Sequence, residues 1–146
     1  MNKKVANSNQ VKNSKYETLN SKQYQNPNDR NSKYYDLEER TFKFPKEIIK
    51  FINRLPKTMV NLEIIKQVIR SAGSVGANYI EANEALSKKD FTMRIKICRK
   101  EIKESIYWLK LLEISKNEIN EKRKMLVKEA VELMKIFGAI VEKCRK

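Results

Sequence analysis

Residues 87–116 read SKKDFTMRIKICRKEIKESIYWLKLLEISK. Within them Phe91, Ile95, Cys98, Ile102, Ser105, Leu109 and Leu112 alternate steps of four and three, so one seam is kept over three heptads. Ser87 opens the stretch with Asp90 three residues on, which approximates a capping box with Asp in place of Glu. This spacing predicts an amphipathic helix over 87–116. Its apolar side leaves water only if other helices lie alongside it.

The flanking sequence supplies those helices. Leu62, Ile65, Val68, Ile69, Ala72, Val75, Tyr79 and Ile80 recur at helical spacing over 58–83, with Thr58 as the expected N-cap. Gly73 and Gly76 interrupt that stretch. Each costs a helix interior about 1 kcal/mol relative to Ala, which points to close backbone approach by a neighbouring helix. A preceding helix is expected over 37–54, carrying Leu37, Phe44, Ile48, Phe51 and Ile52, with Leu55 next. Pro45 either delays its regular start to Thr41–Phe44 or kinks it there, and Leu55-Pro56 closes it. A last helix over 120–142 carries Leu126, Val127, Ala130, Leu133, Met134, Phe137, Ile140 and Val141. Four amphipathic helices on short links predict an all-α fold, an antiparallel up-down four-helix bundle over residues 36–146. Residues 1–35 are rich in Asn, Ser, Lys and Gln, and their apolar residues are scattered. Such a segment buries too little surface to offset its ordering entropy, so a disordered basic tail is expected there.

Composition agrees with helices. Gly and Pro number 3 each, too few for the turns of a sheet protein. The formal net charge is +14, which self-repels unless a polyanion screens it. Nucleic acid is one such polyanion, an anionic membrane surface is another, and a lysine-rich composition with no polyanion is the plain alternative. Cys98 and Cys144 lie in apolar helical positions and form neither a C-x-x-C motif nor a disulfide framework. The start, MNKKVANSNQ, lacks the apolar core of a signal peptide, and no uncharged run approaches the roughly 18 residues of a membrane span. A cytoplasmic protein is expected, with no membrane attachment.

Catalysis lacks its usual groups. The chain has no histidine, no Gly-rich phosphate loop, no G-x-S-x-G and no H-E-x-x-H. Glu81, Glu101 and Glu104 are helical carboxylates, but a di-metal bundle also requires Glu-x-x-His pairs. No enzyme, catalytic residue, metal or cofactor is expected. Two polar columns remain. Gln67, Ser71, Ser74, Asn78 and Glu81 share one side of their helix, as a subunit-contact seam or as a solvated face of small residues. Lys89, Lys96, Lys103 and Lys110 recur every seven residues, with Arg99 and Lys100 beside them. Successive lysines stand about 10 Å apart along the axis. A phosphate backbone could follow that ridge, releasing counterions, though such contacts carry no base information. The alternative is an ordinary solvent-facing heptad position. Tyr107 and Trp108 lie close by and could stack on bases, although Trp108 reads first as an interface or core aromatic.

The stretches RSAGSVGANYIEA (70–82), Lys89-Asp90-Phe91 and ICRKEIKE (97–104) carry a resemblance. The chain resembles the bacterial four-helix bundle proteins also called 23S rRNA-intervening sequence proteins, from about Asp36 to its end. Arg70, Ala72, Ser74, Asn78, Glu81 and Glu104 match the family pattern Arg-x-Ala-x-Ser-x-x-x-Asn-x-x-Glu with a later Glu. Ala82-Asn83 stands where the family usually has a Gly, and Arg99-Lys100 replaces a small Gly-Ser pair. The resemblance implies an up-down bundle that assembles as a homopentamer. The family is also similar to the accessory variability determinant protein of diversity-generating retroelements, a basic pentamer that binds nucleic acid and a reverse transcriptase. What this implies here is a homo-oligomer with RNA or DNA as a partner, and a reverse transcriptase or other protein as a further one. A protein–protein adaptor without nucleic acid is the competing expectation.

Overall fold

The computed structural model describes residues 37–146. The expected tail over 1–35 lies outside them. The described residues form helices α1 (Leu37–Ile52), α2 (Met59–Asn83), α3 (Lys88–Leu111) and α4 (Asn117–Arg145). Each helix packs on its neighbour in the chain, and α4 returns to α1, which closes an up-down four-helix bundle. Caps set the starts. Thr58 Oγ1 accepts from Asn61 N at 3.1 Å and Ser87 Oγ accepts from Asp90 N at 3.1 Å.

The seam of α3 is buried throughout, from Phe91 to Leu109, with Leu112 just beyond the helix. It meets Ile48 and Phe51 of α1, Val68, Ala72 and Val75 of α2, and Leu133, Phe137 and Ile140 of α4 in one core. Cys98 is a buried member whose Sγ donates to Val75 O at 3.4 Å, and burial pushes its thiol up to about 12.

Three details refine or depart from the sequence expectations. The first concerns Pro45. Helix α1 starts at Leu37, within the expected 37–54, and passes through Pro45, so of the two alternatives the delayed start near Thr41–Phe44 does not occur. Proline cannot donate to the carbonyl four residues back, that of Thr41. Gly76 lies against this carbonyl: a Cβ at Gly76 would stand 2.8 Å from Thr41 O. Gly76 is therefore the close approach that its sequence position implied, whereas a Cβ on Gly73 would meet nothing within 4 Å. The second concerns the α3–α4 link. Helix α3 stops at Leu111, short of 116, because Leu112 turns extended and its carbonyl accepts from Arg123 Nη1 at 2.7 Å. Helix α4 then begins at Asn117, earlier than 120, and continues to Arg145. The third concerns α2. Leu62, Ile69 and Ile80, expected in the core, are exposed within the single chain, while Ile64 is buried.

Candidate nucleic-acid interface

Helix α3 carries eight cations and three carboxylates. Its seam faces inward, so the heptad position opposite the seam faces out. Met93, Lys100 and Tyr107 occupy it and Lys89, Lys96, Lys103 and Lys110 lie next to it; all four lysines are exposed, as are Arg99 and Lys100. The ridge drifts by about 20° per heptad, because seven residues fall short of two full helical turns. It runs about 30 Å along the helix at 1.5 Å per residue. Arg99 lies across α4: its Nε is 3.5 Å from where a Cβ on Gly138 would stand. The absence of a side chain at Gly138 leaves room for the guanidinium to spread there.

Several cations elsewhere on the surface are held by carboxylates. Arg40 forks onto Glu129 through Nε and Nη2, both at 2.9 Å, and reaches Glu132 at 3.2 Å. Hydrogen bonding to Glu129 holds the Arg40 guanidinium above its ordinary pKa. Lys50 and Lys122 share Glu47, whose carboxyl they hold below its ordinary pKa, and Arg54 meets Glu118. The six cations of the α3 ridge form no ion pair among the described residues. Both α3 carboxylates that do pair, Glu101 and Glu104, face α2 instead.

The polar column of α2 is placed at that second face. Arg70 donates from Nη1 to Glu101 Oε2 at 3.5 Å and from Nη2 to Glu104 Oε1, which also accepts from Trp108 Nε1 at 3.2 Å. Ser105 donates to Ser71 Oγ at 2.8 Å, and Ser71 to Val68 O at 3.3 Å. Asn78 donates to Ser74 O at 2.9 Å and accepts from Arg94 Nη1 at 3.2 Å. Arg70, Ser71, Ser74, Asn78 and Glu104 thus gather at the α2–α3 boundary of one chain. Ser71 is wholly buried there and presents no surface to a second subunit. Glu81 is exposed and takes no part in this cluster. Arg70, Asn78 and Glu104 therefore hold α2 to α3 within one bundle, and the cationic ridge lies on the same α3.

Two features escaped the sequence. Asn61 is fully buried, with Nδ2 donating to Pro56 O and Glu113 O at 3.2 and 3.1 Å and Oδ1 accepting from Glu113 N at 3.0 Å. Its only local sign is its place three residues after the Thr58 cap. The other is an open groove of about 510 Å³ between α1 and α2, bordered by Phe42, Pro45, Gly73, Gly76 and Ile80. No metal-binding group of three or more His, Cys, Asp or Glu occurs among the described residues, and no helix there is long and apolar enough to cross a membrane.

Comparison with known proteins places this geometry in a family. No curated protein matches the chain. A crystal structure of a protein with unknown function from the S23 ribosomal protein family of Bacteroides thetaiotaomicron VPI-5482 is similar, with a TM-score of 0.61 and 31% identity. The match covers 71% of this chain and 96% of that one. Residues 33–139 match the 23S rRNA-intervening sequence proteins. The chain therefore belongs to the 23S rRNA-intervening sequence protein family.

Proposed function

We propose that this chain is a cytoplasmic, non-enzymatic RNA-binding protein that works as a homo-oligomer and meets the phosphate backbone through the outer face of α3. The observation that carries the proposal is that six cations, Lys89, Lys96, Arg99, Lys100, Lys103 and Lys110, are exposed along one helix with no carboxylate partner among the described residues. Uncompensated cations on a rigid scaffold attract a polyanion at long range and release counterions on contact. Repetition of the ridge in an oligomer multiplies a weak contact by effective concentration.

Self-association has its own support. Phe42 is 64% and Ile80 56% exposed, and with Ile49, Leu62 and Ile69 they leave apolar surface on the α1–α2 side. A second copy is the occupant that a homo-oligomer supplies, and the family resemblance implies five. If that surface instead takes a different protein, the chain is an adaptor, with a reverse transcriptase among the candidates.

Filter binding of a structured RNA across a salt series tests the main proposal. Log affinity should fall linearly with log salt. The triple change Lys96→Glu, Lys103→Glu, Lys110→Glu should weaken every RNA alike. A flat salt dependence, or full affinity in the triple variant, removes the α3 ridge from the function. Light scattering of Phe42→Glu combined with Ile80→Glu tests assembly: the variant should lose subunits, and an unchanged mass would favour another contact surface.

A further inference from the structure

Resting on the reading above, we propose that α3 takes single-stranded rather than duplex nucleic acid, with Tyr107 as the residue that stacks on a base. Tyr107 is 57% exposed on a helix whose other aromatic residues are buried or half-buried. It follows Lys100 by seven residues and Lys103 by four, and precedes Lys110 by three. Residues at those intervals are neighbours on a helix surface, so the ring lies inside the unpaired cations. Met93, Lys100 and Tyr107 recur at the same interval of seven as Lys89, Lys96, Lys103 and Lys110. Two parallel ridges result, one of cations and one with exposed Met93 and Tyr107 at its ends.

The ring is also held in place. Tyr107 packs edge-on against Trp108, with centroids 4.9 Å apart and planes at 72°. Trp108 is anchored through Nε1 to Glu104, which Arg70 grips from α2. The boundary cluster therefore backs the aromatic that the ridge presents, and less freedom is lost when a base stacks on it. A duplex offers phosphates but keeps its base faces inside the stack, so Tyr107 would have no partner there. An unpaired strand offers both, phosphates to the lysine ridge and a base face to the ring.

The test compares a single-stranded uridine oligomer with a blunt RNA duplex of equal length, using the full chain at one fixed salt concentration. Trp108 is the single tryptophan, so its fluorescence reports events beside Tyr107 directly. The unpaired oligomer should bind tighter and perturb Trp108 emission, and the duplex should leave emission nearly unchanged. Tyr107→Ala should weaken single-strand binding by about tenfold or more while leaving duplex affinity intact. Tyr107→Phe should retain the preference. Equal effects of Tyr107→Ala on both ligands, or none on either, overturn the stacking role and leave the cationic-ridge reading standing. A change in sedimentation of Tyr107→Ala without a change in binding assigns the ring to a subunit contact and likewise overturns it. If Lys96→Glu, Lys103→Glu, Lys110→Glu binds both ligands at full strength, the ridge reading itself fails.

Discussion

Asn61 shows how one side chain can close one end of the bundle. Its amide satisfies the carbonyls of Pro56 and Glu113 and the amide N–H of Glu113, joining the α1–α2 and α3–α4 links. Each of these backbone groups loses a partner if the amide is removed, and an unsatisfied buried polar group costs about 1–3 kcal/mol. Asn61→Leu keeps a side chain of similar length and should lower unfolding stability by about 2–3 kcal/mol in urea titration. A loss below about 0.5 kcal/mol would mean that water replaces the amide without penalty. Sequence periodicity cannot locate such a residue, because two of the three groups it serves lie 52 positions away at Glu113.

Between elements, the α1–α2 contact depends on two helix-unfriendly residues facing each other. Pro45 leaves the Thr41 carbonyl without its helical donor, and Gly76 lets α2 come up against that carbonyl. Gly76→Ala would gain helix propensity but place a methyl group 2.8 Å from a backbone oxygen that cannot rotate away. Overpacking should prevail, with a net loss of about 1–2 kcal/mol and a lower Tm by circular dichroism. A raised Tm would show that α1 yields easily. The α1–α4 contact adds ion pairs to the shared apolar core. Lys122 of α4 donates to Glu47 of α1 at 3.1 Å, and Lys50 donates to the same carboxylate. Because folding lowers the pKa of Glu47 from 4.5, its contribution is present above that value and is lost as pH falls through the lower folded value. Glu47→Gln should therefore cost about 0.5–1 kcal/mol near neutral pH. The gap to the parent protein should close in acid, and a gap that persists at pH 3 would count against the ionic account.

At the scale of the whole molecule, charge distribution matters more than total charge. The ion pairs that bind helices together are neutral and add nothing to the net +14, whereas each cation of the α3 ridge, having no pair, adds to it. Added salt screens self-repulsion when the chain is alone and weakens polyanion binding when RNA is present. Raising salt from low ionic strength should therefore raise Tm without RNA and reduce the RNA-induced rise in Tm, which follows ligand occupancy. Thermal melts in both conditions would check this, and the same trend with and without RNA would contradict it. Much of the fold was legible in the residues. The 4-3 seam of Phe91 to Leu109 is buried as expected, and Thr58 and Ser87 cap where they should. The candidate site was legible only in outline: the lysine ridge was visible as a heptad, its lack of carboxylate partners was not.

What the amino-acid order determined alone is the helices, their caps, their apolar faces and hence the bundle, because periodicity and capping act within a few residues along the chain. The tertiary structure decided which helix lies beside which. That assigned Arg70 to Glu101 and Glu104, turned Ser71 inward to Ser105, set Gly76 on Thr41, and left Leu62, Ile69 and Ile80 outside. Ion pairing and burial depend on the distance between residues far apart in sequence, and that distance exists only once the helices have packed.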